Sequence, residues 1–414
     1  MNLPNWIPTT LKRCTPHFAC WILVLATQVA SAQSLEVSDP APSKPPLHLL
    51  SDTRDAGLTD RATAPLQWGY VSVRPHALYR VTRGTGILSL PGSTEKTTIS
   101  TVSPGLLFEV GQRWTADYTP SWIMYSDEAF EDAVEHALEI LGRALFTDGS
   151  INFAQSYNLS NSPRVETGLQ TREETSGTSV NVNYGLTAKT RLEVALSQRL
   201  RWVESAPNSR DWSTHGWFHY LVSERLDAAA GVAVGYTAVD PGTDMFYTQP
   251  QVRIGWKPTG KLGVDAQFGL EQRRFRRKGS ADLNTPTYGI TAFYQPFQHT
   301  MVSLSGSRSV DVAYFVGQVN ENETVSLGLS QRLLQYFNFN ATAAKTNTQY
   351  IPSGATIITT VRDDTSYMYN FRLSTSFLRR GTIGIIYQRT RNSTNVAGYG
   401  FSSNQLGLEA SYAY

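Results

Sequence analysis

Charged residues recur at alternate positions in runs that are otherwise apolar or small. Arg191, Glu193, Arg199 and Arg201 share one parity within a single stretch, and Arg253 sits between Val252 and Ile254. Asp265, Glu271, Arg332, Arg372 and Glu409 repeat the arrangement further along the chain. Fixed charges facing water inside a passage select ions and solutes, so these residues are candidates for a lumen-lining selectivity set. The plainer alternative is that they pair with one another and hydrate a wall. A second group, Arg273, Arg274, Arg276, Arg277 and Lys278, forms a basic run at the end of such a stretch. On the external side of a membrane protein it would suit lipopolysaccharide phosphates or draw anionic solutes, unless it is only a solvated loop.

Other chemistry is poorly supported. His215 and His219 share a face with Trp217 between them, but a metal site needs a third ligand and supporting hydrogen bonds. A Ser213–His215 pair is too common to mark a hydrolase. The glycines stand singly rather than in a phosphate-binding loop. The reading is therefore of no enzyme, no cofactor and no metal.

The elements that must position these charges follow a period of two. In 252–270, Val252, Ile254, Trp256, Leu262, Val264, Ala266, Phe268 and Leu270 alternate with Arg253, Gly255, Lys257, Gly263, Asp265, Gln267 and Gly269, around a Pro258-Thr259-Gly260 turn. On a strand, this places apolar side chains on one face and polar ones on the other. Each run has about ten residues, the length a tilted strand needs to cross a bilayer. Similar runs recur from Trp68 to Tyr414, with every second connection tight. The others read as longer and polar: 83–96, 161–171, 276–284 and 312–321. Short turns on one side and longer loops on the other, with an even strand number, are the pattern of bacterial outer-membrane barrels. The expectation is an all-β, antiparallel, up-and-down transmembrane barrel of sixteen to eighteen strands. Residues 128–146 compete with it, because Phe130, Val134, Ala137, Leu138, Leu141 and Leu145 have helical spacing behind a Ser126-Asp127 cap. A strand is preferred there, since a helix would leave an odd strand count.

Composition agrees without deciding. With 41% hydrophobic and 17% charged residues the chain is too polar for a helical membrane protein, whereas a barrel hides half of every strand from lipid. Residues 1–32 read as a signal peptide: Lys12 and Arg13, an apolar core from Phe18 to Ala26, and Ala30-Ser31-Ala32 for cleavage before Gln33. Cys14 and Cys20 are the only cysteines and fall within it, so the mature chain has no disulfide. The mature chain is also left with equal numbers of acidic and basic residues, which argues against nucleic acid. Residues 33–66, rich in proline, read as a disordered periplasmic linker too short for a plug domain, and 67–414 as the barrel. Trp68, Tyr70, Trp114, Tyr118, Trp122, Tyr125, Trp202, Trp212, Trp217, Trp256, Tyr387 and Tyr412 stand near strand ends, where aromatic girdles belong. The apolar loop 351–361 is read as a lumen constriction or a contact with a neighbouring protomer.

The chain closes on Leu406, Leu408, Ala410, Tyr412 and Tyr414 in alternation, an aromatic-terminated strand that looks like the C-terminal insertion signal read by the barrel-assembly machinery. Tyr118-Thr119-Pro120-Ser121-Trp122 with Tyr125-Ser126-Asp127, then Thr167-Gly168, Thr171, Glu174-Thr175, Asn181, Tyr184 and Arg210-Asp211-Trp212-Ser213, resemble an outer-membrane β-barrel porin family of Gram-negative bacteria. Some of its members lie near exopolysaccharide genes. The resemblance spans roughly 68–414 and carries no catalytic residues. It implies an outer-membrane location, contact with lipid and lipopolysaccharide, and passive diffusion of small hydrophilic solutes. A structural or exopolysaccharide-export barrel is the alternative function, and homo-oligomerisation stays open.

Overall fold

The computed structural model describes residues 64–276, 282–353, 361–378 and 380–414. The signal reading and residues 33–63 of the linker reading therefore lie outside the described residues, while Leu66, read as linker, opens a strand. Every regular element described is a strand: β1 (Leu66–Trp68), β2 (Val71–Leu90), β3 (Ser93–Val110), β4 (Trp114–Tyr125), β5 (Ala133–Phe146), β6 (Gly149–Pro163), β7 (Gln170–Gly185), β8 (Thr190–Val203), β9 (Asn208–Ser223) and β10 (Leu226–Asp240). Then come β11 (Met245–Thr259), β12 (Leu262–Phe275), β13 (Leu283–Phe297), β14 (Thr300–Val312), β15 (Gln318–Leu333), β16 (Phe337–Pro352), β17 (Asp363–Phe377), β18 (Gly381–Thr394) and β19 (Phe401–Ala413). From β2 onward each strand pairs antiparallel with the next, and β19 pairs back onto β2 from Asn404↔Thr85 to Ala413↔His76. The result is a closed barrel of eighteen strands.

Alternation explains the closure. Val264, Phe268, Leu270, Ile290, Leu304, Leu327, Ile385 and Leu408 all point outward into a continuous apolar belt. Among sheets, only a closed barrel can sit in hydrocarbon with every backbone group bonded, so the protein is a transmembrane barrel of the bacterial outer-membrane type. The C-terminal series keeps the expected parity, with Leu406, Leu408, Ala410 and Tyr412 facing lipid. Of residues 128–146, Ala133–Phe146 form strand β5, preceded by a turn in which Asp127 accepts from the Ala129 amide. Here the lateral ladder to β4 and β6 outweighs helical propensity.

Several expectations need correction. The stretch 83–96 is no loop: β2 and β3 run up to a Pro91-Gly92 turn, so the strands themselves project beyond the membrane. The loop read at 312–321 shrinks likewise to 313–317. Trp217 and Tyr125 do not join the aromatic girdle, because odd parity turns both into the barrel, where Trp217 is 2% exposed and Tyr125 packs on Phe130. The three-residue β1 was missed altogether. It folds back at Gly69-Tyr70 to pair with Val71–Val73, the part of β2 that β19 does not reach.

The wall parts in one place. Pairing of β13 with β14 stops at Tyr288↔Arg308, yet β12–β13 pairing continues to Arg273↔Leu283 and β14–β15 pairing to Val312↔Val319. Above that level the β14–β15 tip turns inward. Val310 and Val319, which share parity with lipid-facing Leu304 and Leu327, are buried against the inward side chains of Val239, Met245 and Phe275.

The two faces predict opposite tolerances. Ile290→Arg, on the lipid side between Tyr288 and Tyr294, should cost about 2–4 kcal/mol in reversible unfolding from vesicles. Thr291→Arg, one residue along and facing the lumen, should stay within about 1 kcal/mol of the parent.

Candidate functional site: the lumen and its external mouth

Strands β8 to β12 bring one half of the charged set together near the periplasmic end. Arg191 donates to Asp227 at 3.0 Å and lies 2.9 Å from His219 Nδ1, while His219 Nε2 lies 3.1 Å from Glu193. Asn181 also donates to Glu193, at 3.2 Å. Arg253 lies 3.6 Å from Glu193, stacks 4.3 Å over the Trp217 ring and donates to Gln267 at 3.3 Å. Asp265 faces the same side of β12 as Gln267. His219 thus has a carboxylate beside each ring nitrogen, Asp227 at Nδ1 and Glu193 at Nε2, with the Arg191 guanidinium also at Nδ1.

On the opposite wall a single carboxylate serves two guanidiniums. Arg80 of β2 donates to Glu409 of β19 at 3.0 Å, and Arg372 of β17 reaches the other oxygen of Glu409 across β18. Arg80 is the partner that alternation left unmarked, since His76, Leu78 and Thr82 around it gave no charge series. The cation surplus of the lower lumen therefore sits on this wall, and not on the 191–201 and 253 wall, where Glu193 and Asp227 offset the arginines.

The remaining candidates separate. Arg332 donates to the Gln335 carbonyl at 2.9 Å and so ties down the periplasmic turn, where Leu334 and Gln335 both have positive φ. Arg201 leaves the wall altogether: it donates to the Val312 carbonyl at 3.1 Å and lies 4.8 Å over the Tyr314 ring. Arg199 contributes positive charge near Asp211. Glu271 pairs with Arg273 at 2.7 Å. Arg273 is therefore no part of an external basic cluster. It shares the inward parity of Glu271, is 4% exposed, and donates to Val310 O at 2.9 Å. Arg274 and Arg276 are exposed at the rim, and Arg277 and Lys278 lie outside the described residues.

The external mouth is bridged. Glu166, between β6 and β7, accepts from the Tyr314 amide at 2.7 Å and from Asn320 at 3.0 Å, both at the β14–β15 tip on the far side of the ring. Tyr314 OH reaches Glu173, and Arg362 donates to the Glu166 carbonyl at 2.8 Å while pairing with Asp364. Phe315, Tyr350 and Tyr399 surround the Arg362 guanidinium, Tyr399 at 4.0 Å. Gly168 closes the circle against Pro91: it has φ +70°, and a Cβ there would lie 3.2 Å from the proline. Of the loop 351–361, Ile351 packs on the cluster around Val319, while 354–360 lie outside the described residues. None of this was legible beforehand, because cross-mouth partners obey no sequence period.

No family model matches the chain, and no curated relative matches it. Among solved structures, the chain is similar to Pseudomonas aeruginosa OccK2 (OpdF), with 9% identity, 82% of this chain and 98% of that chain covered, and a TM-score of 0.45. It is similar to P. aeruginosa OccK7 (OpdD) at 10% identity, 84% and 99% coverage and a TM-score of 0.46. Acinetobacter baumannii OccAB2 gives 8%, 84%, 100% and 0.46. The barrel assignment rests on this chain's own strand pairing.

Two outcomes follow from this geometry. Glu409→Ala leaves two lumen guanidiniums uncompensated and should lower unfolding stability by roughly 3–5 kcal/mol, with Glu409→Gln losing less. Burial pushes the Glu166 carboxyl above its ordinary range, against the opposing pull of the Tyr314 amide, Asn320, Arg201 and Arg362. A carboxyl raised on closing stabilises the contact fully below its ordinary pKa of roughly 4.3, and that contribution is lost as pH rises through the raised value. Amide exchange at Tyr314, corrected for intrinsic rate, should be more protected at acid pH than at neutral pH.

Proposed function

We propose that the protein is a porin-like outer-membrane channel through which small hydrophilic solutes pass by diffusion, without catalysis or cofactor. The carrying observation is an eighteen-strand ring whose inward faces are polar and charged on opposed walls. Barrels of sixteen to eighteen strands enclose an aqueous channel, and charges on opposed walls set a transverse field that orients dipolar solutes. Arg80 and Arg372 around Glu409 supply the positive side, and Glu193, Asp227 and Asp265 contribute to the other. Exposed Arg274 and Arg276 at the rim suit lipopolysaccharide phosphates. Leu408, Ala410, Tyr412 and Tyr414 serve as the signal for the assembly machinery. Inward aromatics such as Trp217, Tyr247, Tyr350 and Tyr399 each lie against an arginine. Among the described residues they form no free stacking track of the kind the polysaccharide-export alternative would use.

Conductance of the refolded chain from Gln33 in a planar bilayer tests this. Discrete current steps are expected, and Arg372→Ala should move the reversal potential in a salt gradient toward cation preference. A folded barrel that stays silent, both whole and with its β14–β15 tip shortened, would sink the channel.

A further inference from the structure

We propose that the β14–β15 tip is a hinged lid over the external mouth, shut in this structure and opened when the β14 edge re-pairs with β13. The proposal rests on the channel reading only for what the lid controls; the motion itself stands on the strand geometry.

Both strands continue past the last β13–β14 pair, Tyr288↔Arg308, without meeting. Extending that register sets Thr287 opposite Ser309, Pro286 opposite Val310 and Thr285 opposite Asp311. Pro286 has no amide hydrogen, which weakens the ladder where it parts. On its other side β15 stays paired with β16 up to Gln318↔Pro352, so one edge is held and the other is free to swing.

The free edge has substitute partners in the shut state. Arg273 donates to the Val310 carbonyl and Arg201 to the Val312 carbonyl. Thr285 turns its hydroxyl to Glu321 at 2.6 Å, and Tyr288 bonds Glu323 at 2.7 Å. Beneath them Val310 and Val319 bury against Phe275 and Met245. On re-pairing, the Val312 carbonyl can exchange Arg201 for a ladder amide, whereas Val310, set opposite Pro286, keeps a side-chain donor, so the tip has two bonded positions. The parting begins level with Leu270, which stands opposite Pro286, and four residues beyond Leu304 on β14, at the outer border of the apolar belt.

The mature chain has no natural cysteine, which permits a direct trap. Thr285→Cys with Asp311→Cys should form a disulfide under mild oxidant only when β14 lies beside β13. Thr287→Cys with Ser309→Cys, one step nearer the hinge, serves as the second pair. The reaction should run about tenfold faster or more in an Arg201→Ala background, which removes one charge-assisted latch. The oxidised protein should pass larger or more persistent currents, and reductant should reverse the change. Absence of the disulfide in both pairs, with and without Arg201→Ala, would overturn the lid, as would a disulfide insensitive to Arg201→Ala. A disulfide that forms as expected in a barrel that never conducts would uphold the lid's motion and remove the channel reading instead.

Discussion

A backbone amide or carbonyl left unbonded in hydrocarbon costs several kcal/mol, and a strand escapes that cost only with a neighbour on each side. In this protein β19 supplies the missing neighbour of β2, and β1 completes the short reach of β2 beyond Pro75. The Tyr414 amide donates to the Pro75 carbonyl at the junction. Once the ring is closed, side-chain parity has no freedom left: one face meets lipid and the other the lumen. Within the belt, Arg80, Glu193, Arg253, Arg372 and Glu409 are inside because the two faces cannot be exchanged without shifting every register by one residue.

Enclosure then determines how those charges behave. Arg80, Glu409, Glu193 and His219 are almost fully covered, and a covered charge is tolerated only with a partner. The lumen consequently resolves into compact groups, each spanning two to four strands, instead of a uniform charged lining. Glu409 between Arg80 and Arg372 faces the Glu193–His219–Asp227 group across the barrel.

The same constraint relaxes where lipid ends. Above Tyr288 and Arg308 the sheet can afford an unpaired edge, and the β14–β15 tip uses it to reach Glu166, Glu173 and Arg201 on distant strands. The mouth is held by hydrogen bonds, guanidinium–aromatic contacts and the apolar cluster around Val310 and Val319. A membrane-embedded wall and a mouth closed by exchangeable contacts are two outcomes of one rule applied in two solvents.

Period-two alternation, such as Val264 to Leu270 against Asp265 to Gly269, by itself determined strand direction, lipid face and the inward placement of Arg253, Glu271 and Arg372, and bounded the strand number at sixteen to eighteen. It does so because a barrel strand reads each residue only by its parity. Parity also contradicts the apparent basic run, placing Arg273 inside and Arg274 outside. What only the tertiary structure decided was partnership: Arg80 with Glu409, Arg201 with the β14–β15 tip, Arg362 inside its aromatic ring. Those contacts join residues whose separation in sequence has no period, and they depend on which strands the closed ring sets opposite one another.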